Sequence, residues 1–447
     1  MVKKKAKPQL LWGAGYKNIG QQAIGFCSAG DWQADLALFD AELAASKAHV
    51  KMLHMQKLIS VKEAKGMLAA LTKLGNLGTS ALEPAEDIHT SFDIYLNKHA
   101  EAGNFRLALS RNDQVVTAEH VYLQAKAKEF SASLNLLAKT LAKKALKTKG
   151  AIMAGYTHHQ QALPTTFGHL MLAFAYAFQR DAKKFDAWLA LHNASPLGAG
   201  TSFGTTLSIN AEKTAKLLGF AKAHPNSLDA ISSRWELEAD FTYCLASAMT
   251  HLSILAQTLI LFSTSEFGYI SLGDAHSTGS SAMPQKKNPD VLEAIKGKTA
   301  KVQASLLAIL SLAKCNMAGY NKESQWGKHE VLEAIGHTMP SIALMVELIP
   351  ALQLNEKKML ASLSPLTTSL SVAENYSQKY GVPFKQAKME VEKAIATHSS
   401  KGLQISKSDL ALWQNPYWIT DHASASGPNP KEVEKAAKKI LAAKGGA

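Results

Sequence analysis

The sequence predicts an all-α fold, and three observations support that prediction. Alanine, leucine and lysine are abundant, whereas only 14 prolines interrupt the 447 residues. Runs of β-branched residues are few. Residues 113–149 contain neither proline nor glycine, and residues 291–312 contain a single glycine. Uninterrupted stretches of strong helix formers of this length are typical of an elongated helical bundle.

Shorter helical patterns, separated by polar breaks, occupy the N-terminal part of the chain. Residues 31–53 carry apolar side chains at helical spacing. Residues 60–75 form a second pattern, which Gly75 is expected to end. A third stretch, AEDIHTSFDIYLNKHA, starts acidic and continues as an amphipathic pattern. These features predict a small helical domain over residues 1–108.

The central part of the chain has the longest patterns and two polar loops between them. One loop, SPLGAGTSFGTT, is rich in glycine, and the other, TGSSAMPQKKNPD, covers residues 278–290. The patterns then shorten again, with one helix entered through Pro383 and a last amphipathic helix in NPKEVEKAAKKILAAK. We therefore expect a central long-helix bundle over residues 109–355 and a C-terminal helical domain over residues 356–447.

The chain is basic, with a formal net charge of +13 at pH 7, which raises the question of a nucleic-acid partner. Its lysines are spread over helix faces without interleaved aromatic residues, as in residues 143–149 and 435–444. That distribution is typical of a solvated surface, so we expect no nucleic-acid partner. A basic field also attracts a small polyanionic substrate.

The cysteines and the start of the chain bear on the cellular compartment. Cys27, Cys244 and Cys315 have neither metal-ligand nor redox spacing. An odd number of cysteines without a disulfide framework favours a reducing compartment. The basic start, MVKKKAKPQLLWGAG, has too short an apolar run for a signal peptide. We expect a cytoplasmic protein that uses no cofactor.

Two segments, residues 151–179 and 241–265, lack Asp, Glu, Lys and Arg and are long enough to span a membrane. Both are dotted with histidine, amide and hydroxyl side chains. Helices of this composition suit the centre of a large bundle or of an oligomer. We favour that interpretation over membrane insertion.

The polar loop TGSSAMPQKKNPD has three possible roles: a linker, a phosphate-binding loop or a catalytic lid. Its glycine spacing does not match a P-loop, and no strand precedes it. Gly279 gives backbone freedom, Ser280 a hydroxyl group and Lys286 a cation. Asn288 is expected to cap the next helix, with Pro289 at its first position. Such a loop before a helix is a natural seat for an anion, although ordinary capping of an exposed loop is the alternative.

Two further segments offer polar side chains. In ALSRNDQVVTAEHVYL, Arg111 and Asn112 begin the longest helix, where an arginine can grip a carboxylate bidentately. A plain helix start, capped by Ser110 or Asp113, explains the same residues. In GYNKESQWGKHE, the polar donors are those of Tyr320, Gln325 and Lys328.

The segment GYTHHQQALP contains two adjacent histidines. On a helix, His158 and His159 would point about 100° apart, so that only one of them could face a pocket. His158 is either a core histidine with a local partner or a catalytic group. No second histidine or cysteine stands at ligand spacing, so we expect no metal.

Taken in order along the chain, these segments resemble argininosuccinate lyases, a family of the aspartase and fumarase superfamily. GSSAMPQKKNP is similar to the signature loop of the superfamily, in the Q-K-K-N form of this family. The segments EDIHT, SRNDQV, GYTHHQ, PTTFGH, PLGAG, YNK followed by Q and K, and GVPF are similar to further motifs of the family. The resemblance covers nearly the whole chain.

The resemblance implies a fold and an assembly. Each subunit would have three helical domains. The long helices of four subunits would form a twenty-helix core in a homotetramer, and each active site would be built from three subunits. The two uncharged segments would then be helices that face other subunits.

The resemblance also implies a β-elimination on a small dicarboxylate substrate. A base removes a proton next to a carboxylate, a carbon–nitrogen bond breaks, and fumarate is released. Preorganised donors around the dianionic intermediate should then make the largest catalytic contribution. Ser280 is implied as the base, and Lys286 and Asn288 as donors to the dianion. His158 is implied as the general acid, with a water as the alternative, and Glu293 as its carboxylate partner. Substrate contacts are implied for Asp35, Arg111, Asn112, Thr157, Tyr320, Gln325 and Lys328.

The sequence departs from the family pattern where the leaving group would bind. Ala108 and Leu109 stand in place of Gly-Arg, and Asp31 stands where a serine is usual. Trp326 and Gly327 replace the Glu-Asp of a Q-E-D-K run. Argininosuccinate, cleaved to arginine and fumarate, is the expected substrate. Another N-substituted aspartate or aminocarboxylate is the main alternative, and a structural homologue with weak activity is a second one.

Overall fold

The computed structural model confirms the all-α prediction. It describes residues 21–28, 30–397 and 404–443. The expectations for the basic start of the chain and for the far ends of two predicted helices, at residues 398 and 444, lie outside the described residues. The helices are α1 (Gln21–Ser28), α2 (Asp31–Asp35), α3 (Phe39–Met55), α4 (Val61–Leu77), α5 (Ile88–His99), α6 (Arg111–Lys147), α7 (Phe167–Leu191), α8 (Ala211–Leu217), α9 (Ser227–Ser232), α10 (Arg234–Ser263), α11 (Asp290–Ala313), α12 (Gly327–Ala351), α13 (Glu356–Ala361), α14 (Ser369–Tyr380), α15 (Phe384–Ala396), α16 (Lys407–Trp413), α17 (Pro416–Asp421) and α18 (Pro430–Ala442).

Short strands in the described residues pair only two by two. The pairs β1–β2, β5–β8 and β6–β7 are antiparallel, and β3–β4 is parallel. Their bounds are β1 (Ile152–Thr157), β2 (Gln160–Thr166), β3 (Ala194–Ser195), β4 (Lys222–Ala223), β5 (Ile270–Ser271), β6 (Thr278–Gly279), β7 (Lys287–Asn288) and β8 (Gln353–Leu354).

The described residues divide into two compact units, and the first comprises those of 1–129, 185–245 and 302–336. In this unit α3, α4 and α5 enclose an apolar core that includes Leu53 and Phe92, both fully buried. The predicted division into three domains does not follow these boundaries and stays a prediction.

Helix α4 shows how local sequence sets the helix ends. Ser60 and Glu63 form a reciprocal capping box at its start. The helix passes through Gly75 and runs to Leu77, so the predicted end at Gly75 is wrong. Gly78 ends the helix instead, because its φ of +72° is readily adopted only by glycine.

The second unit comprises residues 130–184, 246–301 and 337–447. Its C-terminal helices α14, α15 and α16 pack around Tyr376 and Trp413, both buried. Helix α15 is entered through Pro383 as predicted, because proline fixes the φ value that precedes the helix and lacks the N–H that a helix start would leave unpaired.

The prediction of a continuous helix over residues 151–179 is wrong. Strands β1 and β2 form an antiparallel hairpin, and α7 begins only after it. His158 and His159 are the two turn residues, with φ values of +51° and +60°. Strand β1 begins with three consecutive buried apolar residues, so no alternating pattern marks it as a strand. The helical geometry expected for the two histidines does not apply.

Two helical stretches, Arg234–Ser263 and Lys322–Ala351, are long and apolar enough to cross a membrane, by length and composition alone. Of their most apolar windows, 50% and 44% respectively is buried within the protein. Core helices of folded proteins meet the same criterion. Our expectation that the chain does not insert into a membrane stays a prediction.

Candidate active site

The predicted site residues fall into two groups, one in each compact unit. The group in the first unit contains Asp35, Arg111, Asn112, Tyr320, Gln325 and Lys328. The group in the second unit contains Thr157, His158, Ser280, Lys286, Asn288 and Glu293.

A buried ion pair anchors the first group. The Lys328 ammonium, at the start of α12, donates to the Asp35 carboxylate at the end of α2. Both side chains are buried, with 2% and 0% of their surface exposed. Burial alone would lower the pKa of Lys328, but Asp35 and Asp31 outweigh it and raise that pKa. Lys328 therefore stays charged, as a group that binds a substrate anion or positions a carboxylate must.

Asp31, the residue at the usual serine position, lies in the same cluster. Its carboxylate accepts hydrogen bonds from the Gln325 side-chain amide and from His329 Nε2, the latter at 2.9 Å. Lys328 Nζ lies 3.6 Å from Asp31 Oδ1. Gln325 in turn accepts a hydrogen bond of 3.1 Å from the Tyr320 hydroxyl. The structure thus brings together four of the six predicted residues of this group.

Arg111 and Asn112 lie side by side at the start of α6. The Arg111 guanidinium pairs with Asp87 and donates to Thr90 Oγ1 at 2.9 Å. Burial would raise the pKa of Asp87, but Arg111, together with His89 and the hydrogen bonds from Thr90, outweighs it and holds that pKa at about 2. Within the described residues the Asn112 side-chain amide makes no hydrogen bond, so it is available to a ligand.

Asp113 joins this helix start to the glycine-rich loop. Its carboxylate accepts N–H groups from Ser110 at 3.0 Å, Gly198 at 3.1 Å and Gly200 at 2.9 Å. Burial raises the pKa of Asp113 to about 6, against the opposing effect of these hydrogen bonds. Ser110 also accepts the Asn112 N–H, so the capping role that the sequence left open is present.

Steric exclusion explains why position 327 holds a glycine where the family pattern has an aspartate. A Cβ at this position would collide with the Glu238 carboxylate. Glu238 cannot easily move, because it is buried and pairs at 2.9 Å with Arg234, which also lies 2.8 Å from Glu119. Position 327 therefore holds glycine in this chain.

In the second unit, the signature segment is a small hairpin. Strands β6 and β7 pair Thr278 with Asn288, and the loop between them carries Ser280 and Lys286. Thr278 donates to Asp290 at the base of the hairpin. Helix α11 begins at Asp290, so Asn288 lies in β7 and is not the helix cap that we predicted.

Two backbone N–H groups of the same loop donate to Ser280 Oγ. It accepts N–H groups from Ala282 at 3.2 Å and from Met283 at 3.1 Å. Two N–H dipoles that point at one oxygen stabilise negative charge on it. The loop therefore offers the environment that a serine base needs.

The other residues of the second group lie on the signature hairpin, on α11 and on the β1–β2 hairpin. Lys286 is exposed and Asn288 is half-buried. Glu293 is exposed on the first turn of α11, where its N–H donates to Pro289 O at 3.1 Å. Thr157 and His158 are exposed at the tip of the β1–β2 hairpin. Within the described residues, no hydrogen bond joins His158 to Glu293 or Lys286 to Ser280, so those partnerships stay predictions.

Two partners in the first group were missed by sequence reasoning. Asp87 belongs to the EDIHT motif, but the sequence did not identify it as the partner of Arg111. His329 follows Lys328 directly, and its proximity to Asp31 spans 298 positions of sequence. The only sequence signal for these two contacts was the presence of charged residues near the site residues, and that signal does not show which residues pair. Within the described residues, no group of three or more His, Cys, Asp or Glu side chains could hold a metal ion.

Comparison with known proteins assigns the family. Residues 35–304 match the lyase family. An argininosuccinate lyase from Limosilactobacillus reuteri subsp. reuteri is 36% identical over 384 residues, which cover 84% of this chain and 83% of that protein. One from Leuconostoc citreum is 37% identical over 370 residues, which cover 80% of each chain. The chain belongs to the argininosuccinate lyase family.

The solved structures agree with this assignment at the level of the fold. An EDDS lyase variant with bound fumarate has a TM-score of 0.81 and 22% identity to this chain. The match covers 94% of this chain and 89% of that one. As a member of the argininosuccinate lyase family, the protein is a carbon–nitrogen lyase with the helical fold of the fumarate lyase superfamily.

Proposed function

We propose that the protein cleaves argininosuccinate to arginine and fumarate by β-elimination, as a cytoplasmic enzyme of arginine biosynthesis. The observation that carries the proposal is the geometry of Ser280, whose hydroxyl oxygen accepts two backbone N–H groups within the signature hairpin. The curated relatives support the substrate, because the proteins in question are named argininosuccinate lyases. Fumarate as a product is consistent with the fumarate bound to the EDDS lyase variant.

The proposed chemistry begins at Ser280. Its ionised oxygen takes the proton from the carbon next to a substrate carboxylate, and the two N–H dipoles stabilise the charge beforehand. Lys286 and Asn288 then donate to the carboxylate oxygens on which the dianion develops. The carbon–nitrogen bond breaks as this charge collapses, and fumarate leaves.

The departing nitrogen requires a proton. His158 is the proposed donor, with Glu293 as the carboxylate that orients its ring. A bound water is the alternative donor. The exposed position of His158 at a hairpin tip supports contact with a ligand rather than a role in the core.

The arginine end of the substrate would contact the first group of residues. Asp35, Tyr320, Gln325 and Lys328 supply charged and polar atoms there, and Thr157 is proposed to contact the substrate from the second group. Arg111 and Asn112 would hold substrate carboxylates. Asp87 leaves Arg111 with unused N–H donors, because an arginine carries five of them.

We also propose a homotetramer with a twenty-helix core and active sites shared between subunits. Exposed apolar side chains on the long helices support association of the chain with copies of itself. Tyr243 and Ile254 on α10 are 55% and 52% exposed, and Leu307 on α11 is 67% exposed. Nucleic acid and membranes are not proposed as partners.

The first experiment mixes the purified protein with argininosuccinate and follows the ultraviolet absorbance of fumarate. A steady rise supports the proposed substrate. Absorbance that rises with another N-substituted aspartate, but not with argininosuccinate, would assign that substrate instead. No rise with any such adduct would favour a structural protein.

The Ser280→Ala substitution tests the base. It should lower kcat by a factor of about 100 or more, because the group that removes the proton is lost. The neighbouring substitution Ser281→Ala is the control and should stay within about twofold of wild type, and circular dichroism should show that both variants fold. Near-normal turnover of Ser280→Ala would remove Ser280 from its role.

A further inference from the structure

Asp31 is a buried carboxylate in a cluster of residues that the proposed function places at the amino-acid end of the substrate. Only 3% of its side chain is exposed. Gln325 and His329 donate to its two oxygens, and Lys328 lies 3.6 Å away. These three partners come from one stretch of the chain, at the start of α12. Asp31 therefore fixes that stretch through several contacts at once.

The protonation state of Asp31 follows from these partners. Burial alone would raise the pKa of Asp31, but the hydrogen bond from His329 and the charges of Lys328, His329 and Lys322 outweigh it and lower that pKa. Asp31 is thus ionised at neutral pH. An ionised carboxylate only accepts hydrogen bonds, so it sets the direction of every bond made to it.

The hydrogen-bond direction that Asp31 imposes also determines how Gln325 and Tyr320 bond to each other. The Gln325 nitrogen must face Asp31, which leaves Gln325 Oε1 as the acceptor for the Tyr320 hydroxyl, at 3.1 Å. Lys322 Nζ donates to the same Gln325 oxygen. Burial raises the pKa of Tyr320, so its phenol keeps the proton that it donates. The Tyr320 oxygen is then left with lone pairs only and offers an acceptor to a ligand.

The charges around Tyr320 are of both signs. Arg234 and Lys328 act to lower its pKa, whereas Asp31 and Asp87 act to raise it. Asp31 and Asp35 in turn flank one buried ammonium, that of Lys328. The lone pairs of the Tyr320 oxygen, and not the net charge, therefore favour a ligand group that carries an N–H donor.

We propose that Asp31 is a positioning residue that fixes the direction of the Gln325 and Tyr320 hydrogen bonds at the amino-acid end of the substrate, so that Tyr320 accepts an N–H donor of the leaving amine. The proposal rests on the proposed function and specifies the ligand class of the same site. A serine, the residue usual at this position, can donate as well as accept, so it leaves the direction of the Gln325 amide open. Asp31 removes that freedom.

Product binding provides the test, with calorimetric titration of arginine and of fumarate into the wild-type protein, Asp31→Asn and Asp31→Ser. Both substitutions remove the charge that orients Gln325. Arginine affinity should fall about tenfold, as expected for the loss of one charge-assisted contact. Fumarate affinity should stay within about twofold. The control is Asp40→Asn, which changes an exposed carboxylate at the start of α3 and should alter neither affinity.

Turnover adds a second readout. With argininosuccinate, Asp31→Asn should raise KM more than it lowers kcat, because the base and the dianion donors are unchanged. A double-mutant cycle with Tyr320→Phe should show non-additive losses of arginine affinity, since Asp31 acts on Tyr320 through Gln325. If Asp31→Asn does not fold, Tyr320→Phe by itself should weaken arginine and spare fumarate.

The outcomes separate the two proposals. Equal arginine affinity in wild type and Asp31→Asn, or additive effects in the cycle, would overturn the positioning role even if argininosuccinate is a good substrate. Parallel loss of arginine and fumarate affinity would assign Asp31 a purely structural role. Absence of turnover of argininosuccinate would overturn the proposed function, whereas arginine titration would still report on Asp31.

Discussion

At the scale of single residues, buried carboxylates organise the first group of site residues. Asp113 holds three backbone N–H groups, and Asp87 holds Arg111. The surroundings move the pKa values of these two acids in opposite directions. Burial raises the pKa of Asp113 to about 6, whereas at Asp87 Arg111, together with His89 and Thr90, outweighs burial and lowers the pKa to about 2.

The Asp113 shift predicts a pH dependence of stability. Because the folded state holds this proton more tightly than the unfolded state does, the contribution of Asp113 is most favourable below about pH 4. It is lost as pH rises from about 4 to about 6, by roughly 3 kcal/mol in the free energy of unfolding. Urea denaturation at pH 4 to 6 should show this loss in the wild-type protein.

The variant Asp113→Asn provides the comparison. It should be less stable at pH 4 by about 1–3 kcal/mol, because the amide cannot accept all three N–H groups. It should also lack the pH-dependent loss. An unchanged pH dependence in Asp113→Asn would show that other groups cause it.

The sequence identified candidate site residues but not their partners. Motifs such as SRNDQV and GSSAMPQKKNP fix residue types at a set spacing. Arg111, Ser280 and Lys286 could therefore be identified as candidates from the sequence. The contact between Asp31 and His329 depends on how helices pack, and no local spacing encodes it. The burial that raises the pKa of Asp113 is likewise a property of the folded chain.

At the scale of elements, the long helices followed the prediction, and the hairpin did not. Helix α6 begins at Arg111, where the sequence placed the start of the longest helix, and it ends at Lys147, two residues before the end of the 113–149 stretch that lacks proline and glycine. Ser110 and Asp113 cap its start. The β1–β2 hairpin was missed because its turn residues, His158 and His159, are neither glycine nor asparagine. The usual sequence signal for such a turn is therefore absent.

The turn predicts a stabilising substitution. His159 has a φ of +60°, where an L-residue with a Cβ is strained. His159→Gly should raise the free energy of unfolding by up to about 1 kcal/mol and leave turnover unchanged. Denaturant midpoints would measure the change. His159→Ala is the control, since alanine keeps the Cβ and should give no gain; equal effects of the two substitutions would contradict the strain argument.

At the scale of the whole molecule, the predicted assembly accounts for apolar surface on the long helices. Ile254 on α10 and Leu307 on α11 stay more than half exposed among the described residues of the single chain. The sequence pattern could not distinguish a core helix from one that faces another subunit. Both have apolar residues on all sides. The resemblance to the family, and not periodicity, suggested the tetramer.

The substitution Leu307→Glu tests this assembly. A carboxylate in an apolar interface would be desolvated without a partner, so the variant should form smaller species at micromolar concentration. Light scattering after size-exclusion chromatography would measure this, and activity should fall at least about tenfold if sites are shared between subunits. Leu217→Glu on α8, at a residue that is 42% exposed, is the control. A fully active monomer would contradict the shared sites.

The signature hairpin is braced at its base. Thr278 and Asp290 bond across the end of the strands, and Lys287 pairs at 2.6 Å with Asp274, outside the loop. We expect a segment held this way to move as one body rather than to refold at each cycle. In the proposed mechanism, the rate of that movement, and not only the height of the chemical barrier, would then set how often Ser280 reaches its substrate.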